Sequence, residues 1–244
     1  MTIRVATFNI LHGALSPGRR PQAPSPPENE AVDLDQLARD CAALDADVLA
    51  LQEVDSRVWR SGLRDQARTV ARALGVRHAF VTASRRHWFG RFGNAVLTRG
   101  ALSDVSRVAL PGKPGREARA LLLARIEVAG VDLTVGATHL QARHQGGGSP
   151  EPAKAQLAAA IEALNDRPAP RVLLGDFNLQ PPEAEPVLAA GGLAAVPSGP
   201  TFPAHEPRIR IDYVAIAGLA IERVEVAQAE VSDHRPLVAD LRPL

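Results

Sequence analysis

Short apolar runs separated by turn residues dominate the chain and predict a fold rich in β-strands. Residues 3–10 alternate apolar and polar side chains, and the run 47–54 (DVLALQEV) has the length and apolar character of a buried strand. Between these strands, apolar residues at helical spacing predict a helix over 34–44, with Asp33 in the N-cap position. A second helix, closed by a glycine, is predicted over 62–75.

The rest of the chain continues this mixture of strands and helices. Apolar or alternating runs divided by Gly, Pro and Asp predict antiparallel strands over 93–100, 102–110, 119–130 and 131–140. Helices are predicted over 151–164 and 181–192, and further strands over 171–178, 201–218, 221–230 and 236–243. Two mixed sheets stacked face to face and covered by helices would bury these apolar runs on both sides.

Composition and charge narrow the class of protein. A chain of 244 residues with 45% hydrophobic and 23% charged residues is typical of an ordinary globular protein, and we expect one domain over 1–244. The formal charge of +1 gives no global basic field, so any phosphate-binding surface has to be local. The lone Cys41 excludes an intramolecular disulfide and is expected to be a small core residue. With no charged and apolar leader and no 18-residue apolar stretch, the default expectation is a cytoplasmic protein without a transmembrane segment.

Polar functional groups recur where apolar strands are predicted to end. Each of these residues, taken alone, is equally well explained as a turn residue or a surface acid. Their repetition favours a concave site, because strand ends gathered at one rim of a sandwich lie close together. The residues concerned are Asn9, Glu53, His139, Asp176, Asp212, Asp233 and His234.

The residue types in this group limit the reactions that it can catalyse. It contains carboxylates, amides and histidines, but no cysteine pair and no Gly-rich phosphate loop with a lysine. Carboxylate and amide oxygens suit a hard cation, Mg²⁺ or Mn²⁺, better than zinc. Asp233 and His234 are neighbours in SDHRP, and Asp212 in RID is a second acid that can hold the other ring nitrogen of that histidine. A metal beside an oriented base predicts hydrolysis of a phosphate ester.

The motifs TFNI, LQEVD, GNAVLTR, ATHLQ, LLGDFN, RIDYV and SDHRPL resemble, in order, those of the endonuclease/exonuclease/phosphatase superfamily, and they span residues 5–237. That superfamily includes deoxyribonuclease I-like nucleases, abasic-site endonucleases, inositol polyphosphate 5-phosphatases, sphingomyelinases and deadenylases. The resemblance implies a four-layer α/β/β/α sandwich of two mixed β-sheets flanked by helices. It also implies hydrolysis of a phosphoester with a divalent metal.

The same resemblance implies roles for the metal-binding and water-activating residues. Glu53 resembles the principal Mg²⁺ carboxylate, and Asn9 and Asp233 complete the metal shell directly or through water. His234 resembles the histidine that activates or stabilises the attacking water, with Asp212 as its orienting partner. We therefore expect Mg²⁺, or Mn²⁺ in its place, as the cofactor.

A second group of residues is implied to handle the phosphoryl group. Asp176 resembles the acid that aligns the nucleophilic water, while Asn178 and His139 donate hydrogen bonds to the phosphoryl oxygens. Arg119 resembles a family arginine near the phosphate, although its position also fits a solvated residue at a strand end. Asn94 in GNAVLTR matches another family position and is expected to order the site for substrate.

Several loop residues have two explanations each. His12 and His205 either reach the substrate from loops or are ordinary histidines outside the site. The segment 84–94 (SRRHWFGRFGN) either cradles a phosphate and stacks on a ring through its arginines and aromatics, or packs its aromatics on the core. The glycines at 146–148 are more consistent with a flexible connection than with a phosphate cradle.

The sequence says least about which phosphoester is the substrate. A phosphodiesterase acting on a small molecule or lipid headgroup is the leading expectation, because the charge is near zero and no nucleic-acid-binding module is evident. A DNA endonuclease or exonuclease is the alternative. An inactive scaffold is remote, since the acids and histidines of the motifs are all present, and no protein partner is evident. Substrate choice is expected to depend on the loops 12–32, 84–92, 142–152 and 197–208.

Overall fold

The computed structural model describes residues 1–16, 32–86, 89–112, 115–143 and 148–244, with only the backbone of residues 85 and 86. Most of the predicted loop 12–32, Trp88 and the glycines at 146 and 147 lie outside the described residues. In the described part of the chain, the longest helix has 15 residues, and none combines the length and apolarity needed to cross a bilayer.

The described residues form two six-stranded sheets. The first sheet has the order β11-β12-β1-β2-β4-β3, with β1 at Ile3–Asn9, β2 at Val48–Ser56, β3 at Arg77–Arg86, β4 at Gly90–Thr98, β11 at Leu219–Val226 and β12 at Leu237–Pro243. The second has the order β5-β6-β7-β8-β10-β9, with β5 at Ala101–Ala109, β6 at Ala120–Val128, β7 at Val131–His139, β8 at Arg171–Asp176, β9 at Ala194–Ala195 and β10 at Asp212–Ala217. Only β1–β2 and β7–β8 are parallel among the pairs described, so both sheets are mixed, as predicted.

Four helices cover the outer faces of the two sheets. They are α1 at Leu34–Ala43, α2 at Gln66–Leu74, α3 at Glu151–Asn165 and α4 at Pro181–Ala190. The side chain of Asp33 accepts a hydrogen bond from the Gln36 N–H at 2.8 Å, which confirms the predicted N-cap of α1. Gly75 ends α2 in the left-handed conformation, at φ 66°.

Three apolar layers separate these four layers of secondary structure. One lies between the two sheets, the second between the second sheet and α3 with α4, and the third between the first sheet and α1 with α2, where Cys41 is buried. Burial on both faces explains why the central strands are almost continuously apolar. The predicted α/β/β/α sandwich is therefore confirmed.

The sheet pairings bring most of the predicted polar strand ends to one edge. Asn9 is paired with Gln52 in the parallel β1–β2 pair, and His139 with Asp176 in the parallel β7–β8 pair. Because β10 runs antiparallel to β8, Asp212 at the start of β10 also lies opposite Asp176. One edge of the sandwich thus collects side chains from both sheets.

Three predictions of local structure were wrong. Residues 201–211 contain turns and an isolated bridge rather than strand, so that Asp212 begins its strand instead of ending it. The strand β2 continues three residues beyond Glu53. The described residues of the segment 84–94, all but 87 and 88, are mainly strand, because they include the end of β3, which was not predicted, and the start of β4. The buried side of β3 carries small residues at 79, 81 and 83 among polar ones, which weakens its hydrophobic signal.

Gly175 is required by the close approach of β7 and β8. A Cβ atom at this position would lie 2.0 Å from the Thr138 carbonyl oxygen. We predict that Gly175→Ala lowers the free energy of unfolding by about 1–3 kcal/mol, because rigid backbone has to move. Gly112→Ala is the control, since an added Cβ there meets nothing within 4 Å, and its effect should stay within about 0.5 kcal/mol. Urea unfolding of both variants checks this; equal stabilities would contradict the packing argument.

Candidate active site

The amide of Asn9 joins the acids of the two sheets. Its Nδ2 atom donates to Glu53 Oε1 at 3.2 Å and to Asp176 Oδ2 at 3.0 Å. Its Oδ1 atom accepts from the Leu11 N–H at 3.1 Å, which agrees with an amide nitrogen directed towards the two carboxylates. Asn9 is buried, with 1% of its surface exposed, so these bonds are shielded from water. The metal-binding half predicted in the first sheet is therefore in contact with the second sheet.

A bulge in β2 directs Glu53 to the edge of the sandwich. Leu51 pairs with Ala95 and Val54 with Gly93, so β2 contains one more residue than β4 over this interval. Glu53 has a left-handed φ of 59°, which is strained for a residue with a side chain. Its side chain exposes 22% of its surface. The strand thus turns the carboxylate out of the sheet while continuing past it.

The electrostatic surroundings of Glu53 favour a positive ligand. Burial raises the pKa of Glu53 above its ordinary value, and the negative charge of Asp233 raises it further. The hydrogen bond from Asn9 and the charge of His234 act in the opposite direction. A bound cation would remove the repulsion between the two acids.

His234 and Asp212 form a buried pair. The Nδ1 atom of His234 lies 2.9 Å from Asp212 Oδ2, which also accepts a hydrogen bond from Thr201 Oγ1 at 2.5 Å. Burial alone would lower the pKa of His234, but the charges of Asp212 and Asp176 raise it to about 10. Without a cation, His234 is therefore an imidazolium whose Nδ1–H donates to Asp212. Its Nε2 atom lies 3.7 Å from Oδ2 of Asp176, the acid that is predicted to align the attacking water.

Asp176 occupies the centre of the site. Its Oδ1 atom accepts from the Asn178 N–H at 2.9 Å. Its Oδ2 atom accepts from Asn9 and lies 3.5 Å from His139 Nε2 and 3.7 Å from His234 Nε2. Burial raises the pKa of Asp176 to about 7, although the positive charge of His234 opposes this shift. Both histidines thus have a ring nitrogen directed at one carboxylate oxygen.

His139 is held as a neutral imidazole. Burial and the charge of Arg119 lower its pKa well below the ordinary value. Arg119 NH1 lies 3.1 Å from Nδ1, and Asn178 Nδ2 lies 3.1 Å from Nε2. Since a guanidinium only donates, Nδ1 accepts from Arg119 and Nε2 carries the proton, which faces Asp176 Oδ2 at 3.5 Å. The amide nitrogen of Asn178 donates instead to the Leu140 carbonyl oxygen at 3.1 Å. The predicted phosphate-binding residues His139, Asn178 and Arg119 are therefore brought together.

The segment that carries Asp233 is fastened to both β1 and α1. Ser232 Oγ donates to the Asn9 carbonyl oxygen at 2.5 Å. The buried Asp40 of α1 accepts from the backbone N–H groups of residues 230 and 231 at 2.8 and 3.0 Å. These bonds place the half-exposed Asp233 beside the site, 4.0 Å from His234 Nε2. Asp233 is thus the most accessible acid on this segment.

Asn94 is not directed at the acids of the site. It is buried in β4 and donates from Nδ2 to the Ala120 carbonyl oxygen at 2.8 Å, which joins the two sheets next to Arg119. Its predicted role in ordering the site fits this bond better than substrate binding does.

The residues with two explanations differ in their exposure. His12 is buried and His205 is exposed. Phe92 is packed in the interior, with 3% of its surface exposed, whereas Phe89 exposes 60%. The segment 84–94 is therefore part core and part surface.

Besides Asp40 and Ser232, three further buried polar residues near the site were missed in the sequence. Thr201 binds Asp212, and the side chains of Gln66 and Gln156 bond to backbone close to the site. Gln156 had a detectable signal, because it lies on the same face of α3 as the buried Ala153 and Ala160. Thr201 lies in an irregular segment, and no pattern marks it.

Two groups of ligands are available to a metal ion. Asp176, Asp212 and His234 have ligand atoms within 4.8 Å of one another. These atoms already bond among themselves, although Oδ1 of Asp212 is buried without a hydrogen bond among the described residues. Glu53 and Asp233 instead provide carboxylates at the open edge, where the repulsion at Glu53 fits a cation, while the buried Asn9 directs its amide nitrogen at Glu53 and its amide oxygen at the Leu11 N–H.

Replacement of Asp212 tests the buried pair in the metal-free protein. Asp212→Asn removes the largest favourable charge at His234, so the pKa of that histidine should fall by about 1–3 pH units. Because the raised pKa stabilises the fold fully below the ordinary histidine pKa of 6.5 and loses this effect as the pH rises through about 10, the variant should lose most stability below about pH 6.5 and progressively less as the pH approaches 10. NMR titration of His234 measures the pKa. Asp233→Asn is the control, with its carboxylate at 4.0 Å; an equal fall in both variants would contradict the assignment.

Comparison with known proteins agrees with the fold described above. No curated protein sequence matches the chain. A structure titled endonuclease/exonuclease/phosphatase from Beutenbergia cavernae shares 27% identity and a TM-score of 0.78, covering 99% of this chain and 72% of that one. The catalytic domain of human nocturnin shares 20% identity and a TM-score of 0.72, covering 100% and 95%. A mannosyl-6-phosphatase from Bacteroides thetaiotaomicron shares 15% identity and a TM-score of 0.73, covering 98% and 99%.

The family model for the endonuclease/exonuclease/phosphatase family matches residues 6–234. This interval contains every residue from Asn9 to His234 that contributes to the site described above. The chain therefore belongs to the endonuclease/exonuclease/phosphatase family, whose members are hydrolytic phosphoesterases.

Proposed function

We propose that this protein is a Mg²⁺-dependent phosphodiesterase that cleaves its substrate by in-line attack of water on phosphorus. The observation that carries the proposal is the convergence of His234 and His139 on Asp176, next to the outward-turned carboxylate of Glu53. This arrangement supports a base, donors for a phosphoryl group and a cation site at one edge of the sandwich. Each component suits displacement at phosphorus.

Glu53 and Asp233 would hold the metal, with Asn9 orienting the Glu53 carboxylate through its amide nitrogen and joining the metal shell through water. Dependence on a divalent metal is general in the family, and an oxygen-rich donor set favours Mg²⁺, with Mn²⁺ as a substitute. When bound, such an ion neutralises a phosphoryl oxygen and stabilises the leaving alkoxide. The raised pKa of Glu53 supports this choice, because the acid lacks a compensating charge without a cation.

His234, Asp212 and Asp176 would prepare the attacking water. The bond from His234 Nδ1 to Asp212 leaves Nε2 and the Asp176 carboxylate on the same side, 3.7 Å apart, so that a water beside both groups can donate a hydrogen bond to each and give up one proton to His234. Positive charge beside Asp233 would lower the pKa of His234 and increase the neutral imidazole that accepts a proton. Asp212 then stabilises the imidazolium that forms.

His139, Asn178 and Arg119 would stabilise charge on the phosphoryl group. In the tautomer assigned above, His139 donates from Nε2 and remains neutral, so it does not repel the cation. The amide of Asn178 and the buried guanidinium of Arg119 add further donors. Hydrogen bonds fixed before the reaction stabilise developing charge at little reorganisation cost.

A cavity beside this group favours a small phosphoester over duplex DNA. It has a volume of about 550 Å³ and is lined by described residues that include Arg116, Gln141, Arg143 and Ala155. None of the described lining residues belongs to the site itself, but Gln141 follows His139 by two residues, so the cavity wall continues the strand end that carries a proposed phosphate-binding residue. Its volume is typical of sites for small ligands. One protein with the same fold is named a mannosyl-6-phosphatase, which supports a small phosphoester as the substrate class.

Hydrolysis of bis(p-nitrophenyl) phosphate tests the proposed reaction. We expect turnover with Mg²⁺ or Mn²⁺, its loss in EDTA, and a decrease in kcat of at least about 100-fold for His234→Ala. His78→Ala is the matched control, because this exposed histidine lies on β3 opposite Leu97, far along the sheet from the site. Unchanged turnover in His234→Ala would show that the base is wrongly assigned.

The same preparations should be assayed for nicking of supercoiled plasmid. Metal-dependent nicking that disappears in His234→Ala would support the nuclease alternative. Hydrolysis of the small diester without nicking is the expected result.

Filling the cavity tests its role in holding the leaving group. Ala155→Phe should lower kcat/KM for bis(p-nitrophenyl) phosphate by about tenfold or more, because its ring occupies space needed by the leaving group. Ala158→Phe is the control, since Ala158 is also exposed on α3 but lines the groove towards α4. Equal kcat/KM values for the two variants would exclude the cavity as a leaving-group site.

A further inference from the structure

Each side of the sandwich has one outer helix that buries a glutamine behind the site. Gln66 of α2 exposes 0% of its surface and Gln156 of α3 exposes 1%. Both use the amide oxygen as an acceptor and the amide nitrogen as a donor to backbone groups of two separate segments. A buried amide with both ends bonded fixes the separation of the two segments that it joins.

Gln66 joins the two segments that carry the proposed metal ligands. Its Oε1 atom accepts from the Asp55 N–H at 2.8 Å, and its Nε2 atom donates to the His12 carbonyl oxygen at 2.6 Å. Asp55 follows Glu53 by two residues, and His12 follows Asn9 by three. One side chain therefore connects the end of β1 to the bulge of β2.

Gln156 makes the corresponding connection in the second sheet. Its Oε1 atom accepts from the Gln141 N–H at 2.8 Å, and its Nε2 atom donates to the Pro111 carbonyl oxygen at 2.7 Å. Gln141 follows His139 by two residues. Pro111 follows Leu110, whose N–H donates to the carbonyl oxygen of Arg119 at 3.0 Å. This side chain therefore connects the segments that carry His139 and Arg119.

The backbone held by Gln66 is strained and needs such support. Glu53 and His12 have positive φ angles of 59° and 46°. Residues with side chains remain in this region only where the surrounding contacts over-determine them. Without the amide of Gln66, a buried N–H and a buried carbonyl would each lose a partner, and relaxation of the two segments would separate Asn9 from Glu53.

We propose that Gln66 and Gln156 are positioning residues with separate duties. Gln66 sets the affinity of the Asn9 and Glu53 half for a divalent cation, and Gln156 sets the affinity of the His139 and Arg119 half for a phosphoryl anion. The assignment of a ligand to each half rests on the proposed function. The connection of each glutamine to its own two segments does not.

Two matched variants, Gln66→Met and Gln156→Met, test this division of duties. Methionine keeps the approximate length of glutamine and removes both hydrogen bonds without adding charge. Each variant is the control for the other, since both lose a buried amide from an outer helix. If either variant does not fold, Gln→Asn at the same position retains polarity but is one methylene too short to reach both partners.

Hydrogen exchange of the metal-free proteins gives a readout that does not depend on ligand. Loss of Gln66 should speed exchange over 10–14 and 53–56, and loss of Gln156 over 110–112 and 139–142. Calorimetric titration then measures Mn²⁺ affinity, followed by inorganic phosphate at saturating Mn²⁺. We expect Mn²⁺ binding to weaken about 10-fold or more in Gln66→Met and less than about twofold in Gln156→Met, with the order reversed for phosphate.

The possible results distinguish the positioning role of the two glutamines from the proposed function of the site. Localised exchange with the expected crossed pattern of affinities supports the positioning role. Exchange that rises equally over all four segments in both variants, or affinities that fall equally for both ligands, would overturn it by showing a general loss of stability. A wild-type protein that binds neither Mn²⁺ nor phosphate would refute the proposed function, while the exchange pattern would still decide whether the glutamines hold their segments.

Discussion

The buried carboxylate of Asp176 is the interaction on which the rest of the site depends. It belongs to the second sheet, yet it accepts a hydrogen bond from Asn9 of the first sheet and lies within 3.7 Å of two histidine ring nitrogens. A buried carboxylate is stable only if hydrogen bonds or opposite charges compensate for lost hydration. Here the compensation comes from both sheets, so the packing of the sandwich and the electrostatics of the site are inseparable.

The groups that compensate for the buried charge come from one structural arrangement that occurs in both sheets. In each sheet, a parallel pair of strands ends at the same edge and presents a polar side chain, Asn9 in one and His139 in the other. Outer helices then fix the segments that follow through buried polar side chains, as Asp40, Gln66 and Gln156 show. Side chains held by packed elements are positioned more accurately than side chains on free loops. The chemistry can therefore be assembled from distant parts of the chain.

Site residues could be predicted from the sequence where one local feature, a polar residue after an apolar run, also determines their place in the fold. Asn9, His139 and Asp176 each follow an apolar run, and parallel pairing places such ends together, so these residues could be predicted to meet. Glu53 was predicted as a site residue, but the bulge that turns it outward depends on pairing with β4, which no local pattern reveals. The strand β3 was missed because its buried side carries small residues between polar ones. Gln66 could not be identified from the sequence, because the backbone groups to which it forms hydrogen bonds are distant in the sequence.

The central claim is that the cation binds at Glu53 and Asp233 and leaves the Asp176, Asp212 and His234 group free to handle protons. The anomalous scattering of Mn²⁺ in a crystal of the protein measures this directly. We expect an anomalous Mn²⁺ peak in contact with the Glu53 carboxylate, while His234 Nδ1 keeps its hydrogen bond to Asp212. A peak among Asp176, Asp212 and His234, with no ion at Glu53, would contradict it.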